Sequence, residues 1–279
     1  SIIYNFKNHP DAVALSVPYY HELTGDEQKD RAILRYEIYM RYYAINLWRI
    51  GSPYSFTAIG SAMALPVWAY RAIGGMTPHK SGEDFYFLQK LRKFGNVLTW
   101  NKEKVYPAAR YSDRVFFGTG PAMIKGRDGD WSSYPIYPFE LFDEIKAAYD
   151  LFPVQFEHDA TTPIDDFIHE KFAAQNIWQP LRKNYKTRDK FVKACHHKID
   201  GLRILQFLKW RNLNSTFSDE KNLIRWFQQF YPKEASGLKF DLSKFSLSAN
   251  PVRDLDLLRN ILCEIEEKLQ ISNYYAPKS

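Results

Sequence analysis

The residues best suited to chemistry lie between Gly60 and Gly120, and the first of them is the acidic pair Glu83-Asp84 behind Gly82. Paired carboxylates in the first turn of a helix sit beside unsatisfied backbone N–H groups and the positive end of the helix dipole. That setting favours the ionised form, which suits a general base and not a general acid. Gly82 lets another backbone or a ligand approach closely. Acids at a helix start are also ordinary N-terminal capping, so the pair alone supports both readings. Arg110 and Arg114 flank Ser112 at a spacing of four. Placed on one side of a strand or loop they would grip a phosphate or an acidic acceptor; otherwise they pair with local acids such as Asp113 or Glu103.

Other candidates carry less. Asp128-Gly129-Asp130 and Asp254-Leu255-Asp256 have the letters of a metal-binding Asp-x-Asp. The first reads as a turn, the second as the acidic first turn of a helix. Cys195-His196-His197 falls on a helical stretch, where consecutive side chains diverge by about 100° and do not converge on one ion. His79-Lys80, just ahead of the acidic pair, reads as a substrate loop or as a solvated turn.

The elements that must position these residues follow from periodicity. Residues 12–17 form a short apolar run ended by Pro18, the length of a buried strand. From Asp26 to Ile50 apolar residues recur at helical steps, and Gly51-Ser52-Pro53 stops them. Phe56–Leu65 is a second apolar stretch. Pro66 is expected at a first helical position, with Gly74-Gly75 closing that short helix. A helix is predicted over Glu83–Phe94 with Gly95 as a left-handed cap, and strands near Val97–Trp100 and Lys104–Ala108. After about Gly126, Thr162-Pro163, Thr187, Ser218 and Asn250-Pro251 each precede apolar residues at helical spacing. The fold class expected is α/β, a mixed sheet with helices over residues 1–126, followed by a mostly helical appendage over 127–279.

Taken in order, Gly60-Ser61-Ala62-Met63, Ala69-Tyr70-x-x-Ile73-Gly74-Gly75-Met76 and Gly82-Glu83-Asp84 resemble the family 2 glycosyltransferases of bacterial type. The later Arg110-x-Ser112-x-Arg114 and Phe117-Gly118-Thr119-Gly120 segments fit a subgroup of that family. The resemblance covers residues 10–125 or so and is specific as a set, not piece by piece. It implies a partial GT-A fold (the nucleotide-diphospho-sugar transferase type) and inverting transfer of a sugar from a nucleotide donor to an acceptor hydroxyl. Asp84 would be the base that deprotonates the acceptor, and Glu83 would orient the acceptor or the helix start. Gly60 and Ser61 would line the acceptor side of the cleft, with Arg110 and Arg114 as further substrate contacts. The family also needs an earlier strand and an Asp-x-Asp that holds a divalent cation (Mg or Mn) and the donor diphosphate. Neither precedes residue 10. The expectation is therefore an acceptor-side half, inactive alone, with metal ligands outside this sequence and an uncovered edge able to pair as a dimer. A rival of another class is a non-catalytic binding module derived from such an enzyme; an upstream strand–helix pattern with an Asp-x-Asp would decide between them.

Bulk properties set the frame. The 279 residues are 45% hydrophobic and 25% charged, so a packed core is expected and bulk disorder is not. Two distant cysteines give no disulfide framework, which fits a reducing, cytoplasmic setting. No apolar run reaches the roughly 18 residues of a membrane span, and the start resembles no signal peptide. Lacking an initiator Met, the start reads as that of a processed chain or a piece of a longer protein. The net charge of +6 is unevenly spread: nine acids and one base over Glu140–Glu170, then eleven bases and two acids over Lys171–Arg211. Such blocks attract an anionic membrane, nucleic acid or a phosphorylated substrate, or else neutralise each other on neighbouring helices. Leu202–Arg211 interleaves basic and aromatic residues as a membrane-surface helix does, or as a core helix with a basic outer face does. The first of these would put the enzyme at the inner face of the membrane, working on lipid-linked acceptors. Nucleic acid is not expected as a partner, since no reading motif accompanies the basic block.

Overall fold

The computed structural model describes residues 1–77, 81–116, 118–173, 176–213 and 215–275. By compactness the chain divides into two units: Ser1–Ile45 with Ser55–Ile136 and Ser218–Ser279, and Asn46–Tyr54 with Tyr137–Phe217. This is not a single cut after residue 126, because Ser218–Ser279 is counted with the first unit.

In the first unit, α1 (Ile2–Asn8) leads into β1 (Ala12–Ser16), which is buried along its whole length. The long helix α2 (Glu27–Arg49) follows, and its last residues are counted with the second unit. Next come β2 (Met63–Ala64), α3 (Val67–Ala72), α4 (Glu83–Phe94) and β3 (Asn96–Leu98). The sheet is small and mixed, in the order β2-β1-β3, with β1 antiparallel to β2 and parallel to β3. One side of β1 presents Val13 and Ala14 to a cluster with Phe87, Leu88 and Leu91 of α4. The other side presents Ala12 and Leu15 to a cluster with Ile33, Tyr36 and Met40 of α2. A continuous apolar strand is what burial on both faces requires. The region is α/β as expected, but helix dominates it. In place of a strand near Lys104–Ala108 there is one bridge between Tyr19 and Val105.

Two helix-end expectations are corrected. Pro66 is the N-cap of α3, in extended backbone, so its ring precedes the helix and Val67 opens it. Gly95 is extended at φ −163°, not left-handed. Its glycine is explained by packing instead, because a Cβ there would run into the Val13 side chain of β1.

Four further helices complete the unit. They are α5 (Thr119–Arg127), α11 (Asp219–Phe230), α12 (Pro232–Ser236) and α13 (Val252–Tyr274). A buried charge network fixes α13 to α2 and explains why the C-terminal helix groups with the sheet. Glu37 holds Arg41 at 2.6 Å and the His21 ring at 2.7 Å. Arg41 reaches Glu266 at 2.5 Å and the Tyr19 carbonyl at 2.6 Å. Arg259 donates to the His21 carbonyl at 2.8 Å and also pairs with Asp256. Burial alone would raise the Glu37 carboxyl, but Arg41, the His21 hydrogen bond and Arg259 outweigh it and bring it to about 2. Glu266 goes the other way: burial raises it further than Arg41 lowers it.

The second unit contains α6 (Phe139–Glu157), α7 (Asp165–Phe172), α8 (Trp178–Asn184), α9 (Arg188–Lys198) and α10 (Gly201–Asn212). Its opposite charge blocks meet directly. Arg211 reaches Glu144 at 3.2 Å, Arg182 pairs with Asp159, and Trp210 donates to Glu170 at 2.8 Å. On α10, Ile204, Phe207 and Leu208 are buried while Lys209 is exposed, the core helix with a basic outer face. Among the described residues no helix is long and apolar enough to cross a membrane.

Candidate active site

Asp84 is the second residue of α4, and Gly82, left-handed at φ 72°, turns the chain into that helix. The Asp84 Oδ1 accepts the Phe85 N–H at 2.7 Å. The same carboxylate lies within electrostatic reach of the Gly60 N–H, so it faces from the helix tip towards a separate turn. That turn, Ile59–Ala62, is closed by the Ala62 N–H on the Ile59 carbonyl at 2.8 Å. Gly60 and Ser61 are exposed at its tip. The Gly-Ser-Ala-Met segment is therefore a turn entering a two-residue strand rather than a strand throughout. A Cβ on Gly60 would stand 3.6 Å from Asp84 Oδ2, so glycine lets the carboxylate come up against the backbone.

The electrostatics correct the reading from the helix dipole. Burial raises the Asp84 carboxyl above its ordinary value by more than the Phe85 and Gly60 N–H groups lower it, and Glu83 beside it adds to the rise. Desolvation wins because Asp84 is half-buried against the turn while the compensating N–H donors are few. The consequence for chemistry is favourable, since a raised pKa makes the ionised carboxylate a stronger base.

One residue without a chemical role in the sequence reading, Tyr36, lies within electrostatic reach of this carboxylate, and Thr119 and Tyr134 neighbour that tyrosine. The Tyr36 hydroxyl of α2 is likewise within electrostatic reach of Thr119, the first residue of α5. Burial pushes that phenol well above its ordinary value, with Tyr134, Tyr39 and Asp84 adding to the rise. Tyr36 therefore stays protonated, as a hydroxyl able to donate. The Tyr134 ring stands edge-on to Tyr36 at 5.0 Å, and its hydroxyl accepts the Gly118 N–H at 3.4 Å. The tips of α4 and α5 thus flank one tyrosine. Thr119 belongs to a segment already singled out; Tyr36 and Tyr134 left no sequence signal beyond being aromatic.

The two later segments do come together, because a Cβ on Gly120 would strike the Ser112 carbonyl. Arg110 and Arg114 are exposed, and among the described residues neither forms an ion pair, so the alternative pairing with Asp113 or Glu103 is not made. No contact among the described residues joins either arginine to Asp84. Glu83 is half-buried beside Asp84. Pro78, His79 and Lys80, and with them the substrate-loop reading, lie outside the described residues, as does Phe117.

The remaining candidates resolve as local structure. Gly129, at φ 79°, sits in a turn closed by the Asp130 N–H on Lys125, where Asp128 pairs with Arg127 at 3.1 Å. Asp254 accepts from Asn250 at the start of α13. The His196 ring packs edge-on against Tyr149 at 4.6 Å, and Cys195 is buried. Among the described residues no three His, Cys, Asp or Glu side chains gather where they could hold a metal ion. Compared with known proteins, the chain matches no family model, no curated protein and no solved structure.

Proposed function

We propose that this chain is the acceptor-side part of an inverting, family 2-like glycosyltransferase of GT-A type, with Asp84 as the general base. The observation that carries the reading is the placement of Asp84: a half-buried carboxylate at a helix tip, against the exposed Gly60-Ser61 turn, with its pKa raised by burial. A sugar hydroxyl is a weak nucleophile. A carboxylate within hydrogen-bond reach takes its proton as the oxygen bonds to the anomeric carbon of the donor. The bond from that carbon to the nucleoside diphosphate breaks, and the electron pair leaves on the phosphate. Ser61 and the backbone of Gly60 sit where they can orient the acceptor, and the Tyr36 hydroxyl, kept protonated, supplies a donor nearby. Glu83 holds the helix start, and Arg110 with Arg114 offers exposed positive charge to an acidic acceptor. The donor nucleotide and the divalent cation belong to residues outside this sequence in this reading. Acceptors include lipid-linked sugars met at the cytoplasmic membrane surface.

The test is Asp84→Asn in the protein that carries this chain together with its donor-binding residues. Transfer from a panel of nucleotide sugars should fall by at least a thousandfold while circular dichroism stays unchanged. Near-wild-type turnover by a folded Asp84→Asn protein would remove Asp84 from the mechanism.

A further inference from the structure

The first unit holds a cleft of about 350 Å³, lined by α2, by the end of α5 and the turn that leads to Trp131, and by the start of α11. Small-molecule sites typically run from about 300 to 1,000 Å³, so its size suits a ligand no larger than a substituted sugar. Arg35 makes it more than a surface dent. Its side chain is only 2% exposed, and Nη2 is engaged by Asp219 and by the Tyr134 carbonyl. Nη1 is buried with no hydrogen-bond partner. A buried guanidinium N–H without an acceptor is costly, and folded proteins rarely leave one so. Burial lowers the Arg35 pKa in spite of Asp219, which reflects the same shortfall.

The neighbouring groups set the chemistry of the cleft. Trp131 lies along the cleft with the Arg35 guanidinium 5.1 Å from its ring centroid. Gly126 permits that placement, because a Cβ there would collide with the indole. Arg31 and Arg127 add positive charge to the lining, Arg31 also reaching Glu27 and Arg127 reaching Asp128. The two lining acids are already committed. Asp219 serves Arg35 and the Ile136 N–H, and Glu220 accepts the Leu247 N–H. Gln28 remains at the edge as a polar group suited to a hydroxyl.

We propose that this cleft binds a small anionic carbohydrate, its acidic group drawn to the arginine-lined wall of Arg31, Arg35 and Arg127 and its ring lying along the Trp131 indole. Aromatic faces bind the apolar side of a sugar ring, and guanidinium forks match phosphate and carboxylate oxygens. A sugar phosphate and a hexuronate share this chemistry. The inference does not rest on the role of Asp84, since binding here and transfer there are separate measurements.

Isothermal titration of the 279-residue chain with glucose 1-phosphate, glucuronate, glucose and inorganic phosphate tests it. At least one anionic sugar should bind, with glucose and inorganic phosphate each tenfold weaker or more. Trp131→Leu and Arg35→Lys should each weaken that sugar at least tenfold in protein that still melts cooperatively. Should Arg35→Lys fail to fold, the rim variant Arg31→Gln/Arg127→Gln carries the test with the same expected loss. Absence of binding by both anionic sugars, or binding that survives Trp131→Leu and the rim variant, overturns the proposal. Inorganic phosphate binding as tightly as glucose 1-phosphate would make this an anion site only and overturn the carbohydrate assignment.

Discussion

The carboxylate of Asp84 comes up against the backbone of Gly60, where a Cβ on that glycine would stand 3.6 Å from Oδ2. The contact ties the tip of α4 to the turn before β2, and it desolvates the acid. A carboxyl whose folded pKa is raised binds its proton more tightly in the native state than in the unfolded chain. The stability it contributes is fully present below the unfolded value and is lost as pH rises through the folded one. Asp84→Asn removes that loss. The variant should therefore melt at or above the wild-type temperature at neutral pH, and the gap should close on acidification to about pH 3, below the ordinary Asp value of ~3.9. A variant that melts well below wild type at pH 7 would show that the ionised form is the one the fold favours.

Arg110 and Arg114 present exposed charge with no ion pair among the described residues. Neutral surface changes of that kind usually fall within about 0.5 kcal/mol. Arg110→Gln/Arg114→Gln should thus leave the urea midpoint unchanged while raising the KM for an acidic acceptor in the active protein and lowering the salt dependence of that KM. An unchanged KM in the double variant would return the two arginines to the role of solvated charge.

What could be read from the sequence tracks the range of the forces involved. Residues 12–17, the helix over Glu27–Arg49 and the start of α4 at Glu83 were legible because apolar period and breakers act locally. Opposite charge blocks close together in sequence can neutralise each other, and Arg211 with Glu144 and Arg182 with Asp159 do so. Helix α6 begins after Pro138 with no capping side chain, whereas Ser1 and Asn176 cap the starts of α1 and α8 and are signals the sequence reading passed over. The approach of Asp84 to Gly60, with Tyr36 in electrostatic reach, was not legible at all. It is set by how α2, α4 and α5 pack, and packing partners distant in sequence leave no periodic trace.

Gly95 shows the same limit on a smaller scale. Glycine after a helix suggests a left-handed cap, yet its φ of −163° is open to any residue. Only the Val13 side chain forbids a Cβ. Gly95→Ala should therefore cost about 1–3 kcal/mol, as overpacking does. Val13→Ala should recover part of that loss in the double variant, seen as a coupling energy in a urea-unfolding cycle. Strict additivity of the two substitutions would mean that the glycine is required by backbone conformation after all.

The network around Glu37 makes the sharpest pH prediction. Three cationic or polarisable partners, Arg41, His21 and Arg259, converge on a carboxylate that is wholly buried. Removing one charge from such a set leaves others uncompensated, and losses of about 3–5 kcal/mol are usual. Glu37→Gln should destabilise the first unit by that order and loosen α13, detectable as faster amide exchange along Val252–Tyr274. The wild-type carboxyl falls from an ordinary 4.5 to about 2, below its unfolded value. Its contribution is therefore present above pH 4.5 and is lost as pH falls towards 2. Wild type should lose stability steeply across that window, and Glu37→Gln should show a shallower slope there. Parallel acid-unfolding profiles for the two proteins would mean that Glu37 is not the group that couples α2 and α13 to pH.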